Sequence, residues 1–187
     1  MKAVISKVEL TSLISKIQSI IATKPAVPVA ANVLIEAVDD QLILSATDLM
    51  TSMRCYAEAK VIEEGAIALP ARRFFHLVRE LTAPQIKITS DSSESATILA
   101  GSSHFKIKGI SKNEFPTIPY IENATQIPIQ SSLLKDILSK TGFSVAKDDS
   151  RQYLNGILLQ VNNQQGFFIG TDGKRLSKIT TQINDID

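Results

Sequence analysis

A strand–helix–strands pattern recurs three times along these 187 residues, and it limits the fold more than any single motif does. In the first copy, Lys2 to Lys7 is strand-like. Leu10, Leu13, Ile14, Ile17, Ile20 and Ile21 then follow the i, i+3, i+4, i+7 spacing that lines one face of a helix. Pro25 and Pro28 close that helix, since proline lacks the amide a helix interior needs. Strands are expected at 33–38, 41–46 and 51–59, with Asp39 and Asp40 forming a tight turn between the first two.

The second copy begins with a strand at 66–69. Pro70 suits the first helical turn, Phe74, Val78 and Leu81 make the buried stripe, and Ala83-Pro84 stops the helix. Strands follow at 85–89, 96–100 and 104–110. In the third copy, 125–129 reads as the strand and Ser131 or Ser132 as the helix N-cap. Leu134, Ile137, Leu138 and Thr141 share a face, Gly142 lies near the helix end, and strands return at 156–161, 166–170 and 175–181. The first and third copies agree in detail. Asn32-Val-Leu-Ile-Glu-Ala-Val with Ala46-Thr47-Asp48 resembles Asn155-Gly-Ile-Leu-Leu-Gln-Val with Gly170-Thr171-Asp172, at offsets of 123 and 124 residues.

Repeats of a helix laid on antiparallel strands imply an α+β fold of two layers, with the helices on one face of the sheet. Two copies would complete a pseudo-symmetric domain over 1–120, with a linker around 119–124. The remaining copy, within 121–187, would be the first half of a second domain. With 5% aromatic residues and no Trp, the core must rest on Ile, Leu, Val and Ala. The single cysteine, Cys55, excludes an internal disulfide and fits a reducing cytoplasm. Lys7, Glu9, Thr11, Ser12, Ser15 and Lys16 interrupt the first apolar stretch, so it does not read as a secretory leader. No run approaches the ~20 apolar residues of a membrane span.

The net charge of +1 hides a segregation. Basic residues collect on the helices and their C-terminal loops: Lys16, Lys24, Arg72, Arg73, Arg79, Lys135, Lys140, Lys147 and Arg151. Acidic residues collect in strand turns, at Asp39, Asp40, Glu63, Glu64, Asp91 and Glu94, although Glu9, Glu80 and Asp136 sit on helices. Two readings fit: ordinary solvated helix faces, or a helix layer that binds a polyanion despite the low net charge. No zinc-finger spacing, aromatic RNP pattern or long basic block is present, so a nucleic acid would be held by its phosphates without sequence preference.

No catalytic constellation emerges. Gly170-Thr-Asp-Gly-Lys-Arg is not a Gly-x-x-x-x-Gly-Lys-Ser/Thr frame, and no helix follows it. His76 and His104 have no Ser/Asp or metal-ligand partner at useful spacing. The chain is therefore read as a non-enzyme with no catalytic residue, no metal site and no cofactor.

Four segments carry a family resemblance. Ala68-Leu-Pro-Ala-Arg-Arg-Phe-Phe, Phe115-Pro-Thr-Ile, Arg151-Gln-Tyr-Leu-Asn-Gly-Ile-Leu and Thr171-Asp-Gly-Lys-Arg-Leu resemble, in order, distinctive stretches of bacterial DNA sliding clamps, the beta subunit of DNA polymerase III. The resemblance implies the DNA-clamp fold and a processivity factor of replication: a head-to-tail homodimer closed around duplex DNA, with helices facing the hole. It implies that Lys24, Arg73, Lys147, Arg151, Gln152 and Tyr153 touch DNA. It implies a hydrophobic pocket for short peptides of the replicative polymerase and the clamp loader, with Leu154, Thr171, Gly173, Lys174, Arg175 and Leu176 as the near wall. Lys174 departs from the His frequent in the family. Thr171-Asp-Gly-Lys-Arg also reads as a plain hairpin turn, and the turn can position the pocket. A ring-closing edge strand at 104–110, with His104 and Phe105, is implied too, though Phe105 also reads as core. The resemblance places the pocket's far wall and the second closing surface in segments not found here, so this chain alone is not expected to encircle DNA.

Overall fold

The computed structural model describes residues 1–21, 27–91, 93–118 and 125–183. The chain divides into two compact units, Met1–Pro119 and Tyr120–Asp187.

In the first unit, strand β1 (Lys2–Ser6) runs directly into helix α1 (Lys7–Ile17). Ser6 makes that junction: its Oγ accepts from the Glu9 amide at 3.1 Å and donates to the Glu9 carboxylate at 2.7 Å. Leu10, Leu13, Ile14 and Ile17 bury the stripe that the spacing predicts. The helix stops at Ile17; Ile20 and Ile21 still pack on the core, but from turns rather than from a further helical turn. Pro25 falls outside the described residues. A meander follows: β2 (Asn32–Val38), β3 (Gln41–Thr47) and β4 (Ser52–Glu58), with Asp39 and Asp40 both at positive φ in the first hairpin. β4 matches the strand expected at 51–59, and a further strand that the spacing does not predict, β5 (Lys60–Glu63), comes next.

The second copy is β6 (Gly65–Pro70), α2 (Ala71–Glu80), β7 (Gln85–Ser90), β8 (Ser95–Ala100) and β9 (Ser103–Lys108). Pro70 precedes the helix at φ −55°, close to the angle its ring imposes. Phe74, Val78 and Leu81 are buried as expected, with Ala71 and Phe75 beside them.

The sheet order shows how two copies make one core. One antiparallel sheet runs β4-β3-β2-β6, the other β5-β1-β7-β8-β9. Each copy therefore lends its first strand to the other copy's meander: β6 pairs with β2 and β1 with β7. Both helices pack on a single cluster that includes Leu10, Ile14, Ile35, Leu44, Leu69, Phe74, Ile88 and Ile98. The Phe115-Pro-Thr-Ile segment has a local task as well. Phe115, 6% exposed, packs on Leu34 and Ala68 away from that main cluster. Just before it, Ser111 and Glu114 form a capping box.

The second unit holds α3 (Ser131–Gly142) and a three-stranded antiparallel sheet of β10 (Leu158–Asn162), β11 (Gln165–Thr171) and β12 (Leu176–Gln182). Two expectations fail here. The N-cap is Gln130, without a side-chain bond, and Ser131 already belongs to the first turn. Residues 125–129 form no strand. In the first unit the equivalent strands pair with the meander of another copy, and 125–129 has no such meander in its own unit. On α3, Ile137 and Thr141 are buried while Leu138 is 43% exposed.

Candidate functional site

Three basic side chains of the first unit, Arg72, Arg73 and Arg79, lie on α2. Burying Ala71, Phe74, Phe75 and Val78 turns Arg72, Arg73, His76 and Arg79 to solvent. Between the end of α1 and α2 lies a cleft of about 340 Å³, lined by Gln18, Ile21, Arg72, Phe75, His76 and Arg79. Arg79 donates to Gln18 across it. Lys7 donates to the Arg79 carbonyl (3.3 Å) and to the Leu81 carbonyl, which satisfies free acceptors at the end of α2. Lys16 is exposed in the last turn of α1, and Lys24 lies outside the described residues.

In the second unit, residues 144–155 form a braced loop. The Asn155 side chain clamps Asp149 twice, accepting from its amide (3.1 Å) and donating to its carbonyl (2.9 Å). The Arg151 guanidinium donates to the Asp149 carboxylate through Nε (3.0 Å) and Nη2 (2.9 Å). The Arg151 side chain, and then its amide, hold the Asp149 carboxyl down at a pKa of about 2; the same pair raises that of Arg151. Lys147 and Gln152 are exposed and Tyr153 is 77% exposed, whereas Leu154 is 7% exposed. The loop thus offers a cation and an aromatic ring to solvent, with Arg151 already occupied.

The turn from Thr171 to Leu176 is organised by Thr171 and Asp172. The Thr171 hydroxyl donates to the Arg175 carbonyl (2.7 Å) and accepts from the Gly173 amide (3.0 Å). The Asp172 carboxylate accepts the Lys174 and Arg175 amides, each at 2.9 Å, and the Arg175 side chain at 3.0 Å. Those two amides, Lys174 first, hold the Asp172 carboxyl below the usual carboxylate range. Gly173 stands at φ +85°, where a side chain would be strained. The first copy, in the first unit, has the same arrangement. Thr47 bonds the Thr51 carbonyl and the Leu49 amide, Asp48 accepts the Met50 and Thr51 amides, and Leu49 takes φ +76°. The Thr-Asp frame is therefore a turn scaffold common to both copies. What differs is the chemistry mounted on it: Gly173, Lys174 and Arg175 in place of Leu49, Met50 and Thr51.

Two contacts tie this turn to its surroundings. The Arg151 guanidinium lies over Gly173, with Nη1 3.5 Å from where a Cβ would stand. The Arg175 guanidinium sits 5.6 Å from the Phe143 ring centroid, and that ring is 61% exposed. Leu176, 64% exposed, gives the turn an apolar rim. The loop and the turn thus form one contiguous surface. Phe143 was not picked out from the sequence, because one aromatic just past a helix end carries no periodic signal. Asp149 was missed as the partner of Arg151 for a similar reason, since any i, i+2 pair of opposite charges looks alike. In the first unit, the edge strand β9 carries His104 exposed and Phe105 at 40% exposure, so Phe105 is not a closed core residue.

Among the described residues no group of three or more His, Cys, Asp or Glu side chains could hold a metal ion, and no helix is long and apolar enough to cross a membrane.

Known proteins share this architecture. Residues 1–119 match the family model for the DNA polymerase III beta subunit N-terminal domain, and residues 128–186 match that for its central domain. The beta sliding clamp of Chlamydia muridarum (strain MoPn / Nigg) is 45% identical over 98% of this chain and 50% of its own length. The DNA polymerase III subunit beta from Pseudomonas aeruginosa superposes with a TM-score of 0.90 at 29% identity, over 100% of this chain and 52% of that one. A sliding clamp from Bartonella birtlesii, solved bound to griselimycin, gives 0.88 at 26% identity, over 97% and 50%. The chain spans about half the length of the curated relatives it matches.

Proposed function

We infer function from a fixed premise: the chain belongs to the DNA polymerase III beta-subunit family. It serves in a processivity clamp of DNA replication, a non-catalytic subunit that holds duplex DNA without reading its sequence and tethers the replicative polymerase. The observation that carries this reading is the order of the two family matches, N-terminal domain then central domain, across nearly the whole chain.

The surface chemistry supports it. Arg73, together with Arg72, His76 and Arg79 along α2, offers phosphate contacts with no base-reading geometry, which suits a protein that must slide. On the second unit, Lys147, Gln152 and Tyr153 are assigned phosphate contacts of their own, and Lys24 is assigned the same role from the resemblance. Arg151 is assigned here to a phosphate contact that would draw it from Asp149. The peptide surface is the 171–176 turn with Leu154: Leu176 supplies apolar area, Arg175 a planar donor set, and Lys174 a cation that favours acidic or polar flanks in the peptide. Short motifs of the polymerase and of clamp-loader subunits are the ligands. The β9 edge with His104 and Phe105 is a ring-closing surface of the homodimer. The working compartment is the cytoplasm.

Calorimetry with a polymerase C-terminal peptide tests the peptide surface. Weak binding that Leu176→Ala abolishes is expected. Micromolar binding indifferent to Leu176→Ala would remove the assignment.

A further inference from the structure

Within the second unit, the Arg151 side chain joins the braced loop to the Thr171–Leu176 turn. On the loop side, its Nε and Nη2 donate to the Asp149 carboxylate at 3.0 and 2.9 Å. On the turn side, its Nη1 and Nη2 lie 3.5 and 3.6 Å from where a Cβ on Gly173 would stand. These are ordinary van der Waals distances, so the guanidinium fills the space beside the turn that a side chain at 173 would otherwise take. A peptide laid on that face of the turn has to displace it.

The backbone beneath this side chain is fixed, while the side chain itself is lightly held. The Arg151 amide donates to the Asp149 carboxylate at 2.8 Å, and the Arg151 carbonyl accepts from the Leu154 amide at 2.9 Å. Asn155 pins the Asp149 backbone at both its amide and its carbonyl. The ion pair is open to water, with the Arg151 side chain 52% and the Asp149 side chain 25% exposed. Pairs so exposed contribute little. A phosphate offers a guanidinium paired acceptors of the same kind, so it can take the place of Asp149 at small cost. Arg151 therefore has two placements on one backbone: paired with Asp149 over Gly173, or turned out to a phosphate.

We propose that Arg151 couples DNA binding to peptide binding in the second unit, each ligand favouring the placement that the other needs. This rests on the readings above of Arg151 as a phosphate contact and of the 171–176 turn as the peptide surface. A phosphate that draws the guanidinium from Asp149 also uncovers Gly173. A peptide seated on Gly173 likewise frees the guanidinium for a phosphate. The contact to Asp149 is broken once, by whichever ligand arrives first, and the second ligand binds without that cost. The coupling is therefore positive and, by linkage, equal in both directions. The strength of one exposed ion pair bounds it at roughly two- to fivefold in affinity. Asp149 is a positioning residue in this scheme, acting only through Arg151.

Calorimetry on the 187-residue chain tests the coupling: a polymerase C-terminal peptide is titrated with and without a saturating short DNA duplex. The peptide should bind roughly two- to fivefold tighter with the duplex present. Arg151→Ala should bind the peptide without DNA about as tightly as the parent does with it, and should not respond to the duplex. Asp149→Asn, which loosens the hold on Arg151, should tighten the peptide without DNA and shrink the response. Independently of affinity, the Gly173 amide resonance should shift when the duplex alone is added to the parent, and stay in place in Arg151→Ala. Peptide affinity unchanged by bound duplex, a Gly173 resonance that ignores it, or a response that survives in Arg151→Ala would overturn the coupling while leaving both surfaces standing. Titrations of each ligand alone separate that result from failure of the underlying reading: absence of either complex would overturn the reading and the coupling together.

Discussion

Gly170 is where the third copy departs from the first in a way the structure can price. Its equivalent, Ala46, is fully buried. A Cβ on Gly170 would stand 2.4 Å from the Thr141 carbonyl oxygen and 2.9 Å from the Ser144 hydroxyl. The first neighbour is backbone and cannot swing aside, so α3 would have to lift from β11. Overpacking of that kind costs about 1–3 kcal/mol. Lifting the helix also strains the bond from the buried Ser144 hydroxyl to the Gly170 carbonyl (2.9 Å), whose loss costs about 1 kcal/mol. Gly170→Ala should therefore destabilise the second unit by about 2–4 kcal/mol. In urea this is a midpoint lower by about 1–3 M, followed by far-UV circular dichroism with amide exchange resolved over β11 and β12. Gly156→Ala, with no heavy atom within 4 Å of its Cβ, should unfold as the parent does. Adding Ser144→Gly to Gly170→Ala should restore only part of the loss, because the carbonyl contact remains. A Gly170→Ala protein with the parent midpoint would refute the reasoning.

Asp149 should titrate with a midpoint near 2 by carboxyl carbon NMR. Because its folded pKa lies below the ordinary 3.8, the stabilisation is present above that value and fades as pH falls toward 2. Arg151→Ala should return the midpoint toward 3.8, and a midpoint near 3.8 in the parent protein would contradict the pairing. Glu36, 7% exposed, accepts from Lys112 (2.7 Å) and Arg54 (3.4 Å), both more than half exposed. Glu36→Ala should cost about 1–2 kcal/mol in urea unfolding, much of it from the Lys112 bond, with Arg54→Ala costing less. Equal effects of the two would show that the distances mislead.

The architecture was legible where periodicity is strong. The α1 stripe, the Phe74–Val78–Leu81 face and the meanders after each helix follow from side-chain spacing alone. What spacing could not carry was pairing. Residues 125–129 have the alternation of a strand, yet a strand exists only where another backbone takes its hydrogen bonds, and that partner belongs to a different copy. The same limit hid β5, which is split from β4 because it joins β1 rather than β3. The Thr171–Leu176 turn was legible as a turn from Asp-Gly, while its contacts to Arg151 and Phe143 bring together residues 22 and 32 positions apart and leave no trace in local pattern. Ser131 and Ser132 misled because serine favours N-caps in general, and here the helix begins one residue earlier than a cap at Ser131 requires and two earlier than a cap at Ser132 requires.

The central claim, a basic helix face that grips duplex DNA without reading it, is tested most directly by the salt dependence of binding to two duplexes of unrelated sequence, followed by fluorescence anisotropy. Equal affinities are expected for the two, with the logarithm of affinity falling linearly against that of salt. Arg73→Ala should flatten the slope by roughly one and weaken both duplexes alike. Affinity that differs between the sequences, ignores salt, or survives Arg72→Ala with Arg73→Ala unchanged would contradict the account.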